Sequence, residues 1–209
     1  MRLMSKMIFA IFISLFVAIE GGAQAVEDLP KLREVKGKKL LKELQPLQHK
    51  HGMWGYADVE GKFVIKPVFA EACPFEGDLA RVKVEDKWGT IGSNGLFIVN
   101  PTYELIDPYS ADSLAVVRFN GKYGLIDDAG GIVQNFLLDT LEYADYGYRF
   151  RLENKIGTID TLGVTILTPR FDDVVMLDRE RGLEQVYMNG KWGILRNGKE
   201  LLTLTFDET

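Results

Sequence analysis

Two histidines, His49 and His51, stand two residues apart in "HKH". Side chains two apart in an extended segment point the same way and could clip a metal ion. A stable site needs three or four ligands, and no cysteine or acidic cluster completes this one. Solvated turn residues are the expectation, with no metal and no cofactor. Cys73 is the only cysteine, so the chain has no internal disulfide, and a small half-buried residue is expected rather than a nucleophile. Paired carboxylates occur at Asp127-Asp128 and Asp172-Asp173. A glycosidase uses two such groups roughly 5–10 Å apart. Here they fall at turn or edge positions, where Asp bonds nearby backbone. The chain has no G-x-S-x-G, P-loop or G-x-G-x-x-G, so no catalytic set is expected.

Aromatic residues are the other candidates. Trp54, Trp88, Tyr123 and Trp192 could stack on sugar rings or hold ammonium groups if exposed in a row. If they point inward they are packing between repeats, the favoured reading. Tyr143, Tyr146 and Tyr148, in "LEYADYGYRF", break the surrounding pattern and are a candidate contact for a partner or ligand.

These aromatics sit in a repeat. An anchor dipeptide recurs at Trp54-Gly55, Trp88-Gly89, Tyr123-Gly124, Ile156-Gly157 and Trp192-Gly193, at spacings of 34, 35, 33 and 36 residues. Alternating segments "LARVKV", "LAVVRF", "YRFRL" and "LEQVYM" precede the turns ahead of four of these pairs, which is strand periodicity. Asn120-Gly121 and Asn189-Gly190 are strong two-residue hairpin signals. After the dipeptide come a short strand, a turn ending in glycine and a second apolar run. Pro67, Pro101 and Pro169 lie 13 residues past their anchors, with Phe69, Tyr103 and Phe171 two further on. Proline lacks the ladder donor, so the chain should bend there and enter the next unit. In the third copy Phe136 replaces the proline and the spacing reads as shifted by one. In the last, Phe206 matches if one turn residue is deleted. The recurring Asp58, Asp127 and Asp160 are read as structural.

The first 25 residues read as a cleaved signal peptide. Arg2 and Lys6 precede an apolar run from Met7 to Ile19, and Ala23-Gln24-Ala25 fits a cleavage site. The run is too short for a bilayer span of roughly 20 residues, so no transmembrane span is expected after cleavage. Residues 26–50 form a lead with seven Lys/Arg and four Asp/Glu. Leu40, Leu41, Leu44 and Leu47 could make a short helical apolar face within it. Capping the first repeat is its expected role, with docking on an anionic surface the functional one. The net charge of −5 argues against a nucleic-acid binder.

The phased "HGMWGYAD", "DKWGTI" and "NGKWGIL" resemble the WG (KWG) repeat family of bacterial proteins, over about Gly52 to Thr209. The resemblance implies an all-β repeat architecture and an exported or envelope location, and no shared enzyme activity. The expectation is four full units and a truncated fifth over 51–209, starting near 52, 86, 121, 154 and 190, in an open curved array or, alternatively, a small β-propeller. The expected function is an exported, non-enzymatic binding or scaffold protein in the periplasm or outside the cell, with a protein or glycan partner. The alternative is an envelope glycan hydrolase using converging carboxylates.

Overall fold

The structure is a computed structural model that describes residues 29–35, 43–144 and 146–207. The expected signal peptide (1–25), with Leu40 and Leu41, lies outside the described residues. Every described element is a strand. The first sheet holds β1 (Gln45–Gln48), β2 (Trp54–Ala57) and β3 (Phe63–Phe69). The second holds β4 (Glu71–Ala72), β5 (Leu79–Val84), β6 (Lys87–Gly92) and β7 (Phe97–Tyr103). The third holds β8 (Leu105–Ile106), β9 (Leu114–Phe119), β10 (Lys122–Asp127) and β11 (Ile132–Leu138). The fourth holds β12 (Thr140–Ala144), β13 (Gly147–Leu152), β14 (Lys155–Ile159) and β15 (Thr165–Phe171). The fifth holds β16 (Asp173–Asp178), β17 (Leu183–Met188), β18 (Lys191–Arg196) and β19 (Lys199–Asp207). Each is an antiparallel meander in chain order. Counted by sheets, from Asp173 rather than from the anchor near 190, the fifth has all four strands. The first is the short one among the described residues.

The anchor dipeptide lies on the third strand of each four-stranded sheet and on β2 of the first. The strand after it pairs with a break in register: Trp54↔Phe69 but Tyr56↔Ile65, and Trp88↔Tyr103 but Thr90↔Val99. The extra residues form a bulge containing Pro67 or Pro101, where no ladder donor is needed. The same offset recurs at Tyr123↔Leu138 and Ile156↔Phe171. The third copy is thus not shifted; Phe136 stands in register where the others have proline. Trp192↔Phe206 is one residue shorter, as the deletion in the last turn requires.

Beyond the bulge the chain changes sheets without a loop. Single residues, Ala70, Glu104, Asp139 and Asp172, separate the last strand of one sheet from the first of the next. Their N–H groups already bond the next sheet, to the carbonyls of Lys83, Arg118, Arg151 and Tyr187. One continuous strand thus serves two sheets, a bend-and-switch device used at sheet corners.

The core is divided into four parts, one between each consecutive pair of sheets. Tyr56, Ile65 and Phe69 meet Ala80, Val82 and Ile91. Val99 and Tyr103 meet Ile106, Ala115 and Val117. Leu114, Val116, Leu125 and Leu138 meet Leu141, Tyr148 and Phe150. Ile156, Leu167 and Phe171 meet Val174, Val186 and Leu195. No core cluster joins the first sheet to the fifth among the described residues.

The lead packs on the first of these cores through Leu32, Val35 and the buried Leu44. Its last part is not helical. Gln45–Gln48, including Leu47, is the edge strand β1, paired from Gln48↔Trp54 to Gln45↔Ala57. Pro46 disfavours a helix here, and pairing with β2 satisfies backbone groups that the short sheet would otherwise leave bare.

Candidate functional site

The repeated residues are engaged in structure. Trp54, Trp88 and Tyr123 are half-buried, each with part of its ring against the core shared with the next sheet. The other faces of Trp88 and Tyr123 are not bare. Lys83, directly across the hairpin from Trp88, holds Nζ 5.5 Å from the ring centre, and Arg118 lies 5.8 Å from the Tyr123 ring. These cations are pinned in turn: Lys83 Nζ to Glu71 Oε1 at 2.7 Å and Arg118 Nε to Glu104 Oε2 at 3.2 Å. Ile156, the aliphatic replacement, is fully buried against Phe171 and Val186. Trp192 instead stacks on Tyr187, ring centres 4.7 Å apart. The deepest repeated rings are Phe69, Tyr103 and Phe171.

The repeated aspartates tie turns. Asp58 Oδ1 accepts the Glu60 and Lys62 N–H groups at 3.1 and 2.9 Å. Asp127 does the same for Ala129 and Gly131, and Asp160 for Leu162 and Val164. In the second repeat the position is Gly92, and Asn94 accepts from Leu96 N–H instead. Asp172 bonds Lys155 and the Asn189 N–H. These two donors hold its carboxyl below the ordinary range. Asp173 binds Arg149 Nη2 at 2.6 Å. Both pairs proposed from the sequence thus have oxygens committed to neighbouring groups. The rings of His49 and His51 lie 4.7 Å apart beside the β1–β2 turn. No group of three or more potential metal ligands occurs among the described residues. Cys73 is half-buried, and burial pushes its thiol up, away from the thiolate.

The tyrosine cluster divides. Tyr148 is 1% exposed and belongs to the core between the third and fourth sheets; its hydroxyl meets Ser110 Oγ at 3.2 Å. Tyr143, across the hairpin from it, is 54% exposed, with ring centres 5.4 Å apart. Tyr146 is half-buried. Tyr143 and Tyr146 line an open groove of about 910 Å³ with Arg149, Val175, Met176, Leu177 and Arg179.

Strand length explains why the groove is here. In the second and third sheets the first strand stops after two residues, ahead of Cys73-Pro74 and Asp107-Pro108. The fourth and fifth have no such proline, and β12 and β16 run on for five and six residues. Gly147, at φ 131°, makes the tight return after Tyr146. Tyr143 and Tyr146 are legible in the sequence, whereas Arg149, Met176 and Arg179 are not singled out by it. The missing proline was the available signal.

Among solved structures the chain is similar to Hsv2p of Kluyveromyces lactis at 10% identity and TM-score 0.39, over 77% of this chain and 58% of that one. It is similar to a eukaryotic initiation factor at 9% identity and TM-score 0.43, over 85% of this chain and 54% of that one. It is also similar to the WD40 β-propeller domain of Doa1 at 12% identity and TM-score 0.33, over 79% and 66%. The chain spans 54–61% of the length of the first such structures it matches. No curated protein sequence matches it. The profile of the WG containing repeat matches residues 54–88, 88–123 and 156–192. Those stretches cover just over half of the chain and carry the bulge, the anchor glycine and the sheet-switching strand described above, so the chain belongs to the WG-containing repeat family.

Proposed function

We propose that this chain is an exported, non-enzymatic binding or scaffold repeat protein of the cell envelope, holding a protein or glycan partner. One observation carries the reading. The repeated residues are committed to turns, bulges and inter-sheet packing, whereas Tyr143, Tyr146 and Arg179, which have no counterparts in the other units, line the same open groove. A groove with exposed aromatic faces, a free edge of Val175 and Leu177 and two guanidinium groups suits polar-rimmed, partly apolar surfaces. The n-region, apolar run and A-x-A site of residues 1–25 support export. The test has two parts. The tagged full chain should fractionate with the envelope or medium and start near Val26. The immobilised chain should retain a component of envelope extracts that a Tyr143→Ala/Tyr146→Ala variant loses. A cytosolic full-length product sinks the export half, and equal retention by the variant sinks the groove.

A further inference from the structure

The second strand of each four-stranded sheet places one residue against the third strand at an equivalent register. The pairs are Ala80↔Ile91, Ala115↔Ile126, Tyr148↔Ile159 and Glu184↔Leu195. Where two sheets bury an alanine, the fifth buries a glutamate, only 2% exposed. A carboxylate at such a place is costly unless it is partnered. Burial pushes the Glu184 carboxyl up, against the pull of the Gly198 N–H. The Thr158 hydroxyl, itself on a residue 2% exposed, approaches without closing a well-formed hydrogen bond. Among the described residues neither Glu184 Oε2 nor Thr158 Oγ1 makes a hydrogen bond of good geometry.

Both residues line a cavity of about 370 Å³ between the fourth and fifth sheets, walled by Ile159, Ile166 and Met176. That volume is in the range of small-ligand pockets, about 300–1,000 Å³. Arg179 is exposed, lines both this cavity and the outer groove, and has no acidic partner among the described residues. The groups are therefore ordered, with a carboxyl buried at the floor, able to ionise against a bound cation, and a guanidinium in the more open part.

We propose that this cavity binds a small zwitterion, with its protonated amine on Glu184 and Thr158, its carboxylate on Arg179, and an aliphatic body against Ile159, Ile166 and Met176. An amine alone leaves Arg179 unpaired, and an acid alone places its charge against Glu184. The inference rests on the binding reading above and gives that face a ligand class.

Titration calorimetry on the purified chain tests it, with L-leucine and 6-aminohexanoate as zwitterionic probes and hexylammonium and hexanoate as single-charge controls. One zwitterion should bind saturably and at least about tenfold more tightly than either control. Glu184→Gln and Arg179→Met should each weaken it by about tenfold or more, and Thr158→Val by several-fold, with circular dichroism unchanged. Glu184→Gln keeps the shape of the side chain, and Thr158→Val reports independently if that variant fails to fold. No saturation by either zwitterion up to about 10 mM, equal binding of hexylammonium, or binding indifferent to Glu184→Gln overturns the proposal. Zwitterion failure with the envelope component still retained sinks this inference alone. Zwitterion binding with nothing retained from envelope extracts sinks the envelope reading alone.

Discussion

A methyl group on Gly89 would lie 2.5 Å from the Val99 carbonyl oxygen and 2.7 Å from the Pro101 nitrogen, both backbone atoms of the bulge. Gly55 meets Ile65 and Pro67 in the same way, and Gly124 meets the Gln134 carbonyl oxygen at 2.6 Å. Gly89 does not have a positive φ, so space rather than backbone freedom fixes the residue. For Gly92, three residues on in the same strand, the three nearest atoms all belong to side chains, led by Ile98 Cγ1 at 3.1 Å, and a side chain can turn aside. Gly89→Ala should therefore cost about 2 kcal/mol, within the range for overpacking, while Gly92→Ala should stay within about 0.5 kcal/mol. Urea unfolding of the two variants measures this, and equal losses would remove the bulge as the reason for the glycine. The same geometry settles the role of the neighbouring tryptophan. Alternation places Trp88 and Gly89 on opposite faces, and Lys83 across the hairpin covers the outer face of the ring.

The hairpins between the second and third strands show how far local pattern reaches. Asn120-Gly121 (φ 50° and 74°) and Asn189-Gly190 (φ 55° and 79°) take the two left-handed residues that a tight hairpin requires. Glu153-Asn154 does the same at φ 50° and 63° without a glycine, and a glutamate in that region costs about 1–2 kcal/mol. Changing Glu153→Asn together with Asn154→Gly should raise stability by about 1 kcal/mol, or about 2–4 °C in Tm. Asp139 bonds the backbone N–H of residue 153, so that tie survives the exchange. A lower Tm would show that the Glu153 side chain matters more than its backbone. Such turns and the alternating strands at 79–84, 114–119 and 183–188 were legible because their causes lie within a few residues. At the end of the lead the leucine spacing suits a helix locally, but the bare edge of β2, outside that window, makes 45–48 a strand. The groove was half legible: Tyr143 and Tyr146 stand out of the repeat, but Arg179 reaches it, and Glu184 the adjoining cavity, only through the stacking of one sheet on another.

Across the whole molecule, stability is a sum over interfaces. Each sheet shares a core with its neighbours in the chain, as in other repeat proteins, and the switching strand joins each pair covalently. Equivalent positions on the last strands read out this arrangement. Ile65, Val99 and Leu167 are 5%, 7% and 2% exposed under the following sheet, whereas Leu202 is 44% exposed. Leu167→Ala opens the core between the fourth and fifth sheets and should cost about 2–5 kcal/mol; Leu202→Ala should cost under about 0.5 kcal/mol. The loss should also be local. Hydrogen exchange in the Leu167→Ala variant should quicken through β13–β18 while β5 and β6, two interfaces away, keep their protection, because coupling passes only from neighbour to neighbour. A uniform loss of protection from the first sheet to the fifth would mean that the array opens as one cooperative unit. A local loss would place the groove, and with it Glu184, in the part of the molecule that opens first when that interface is weakened.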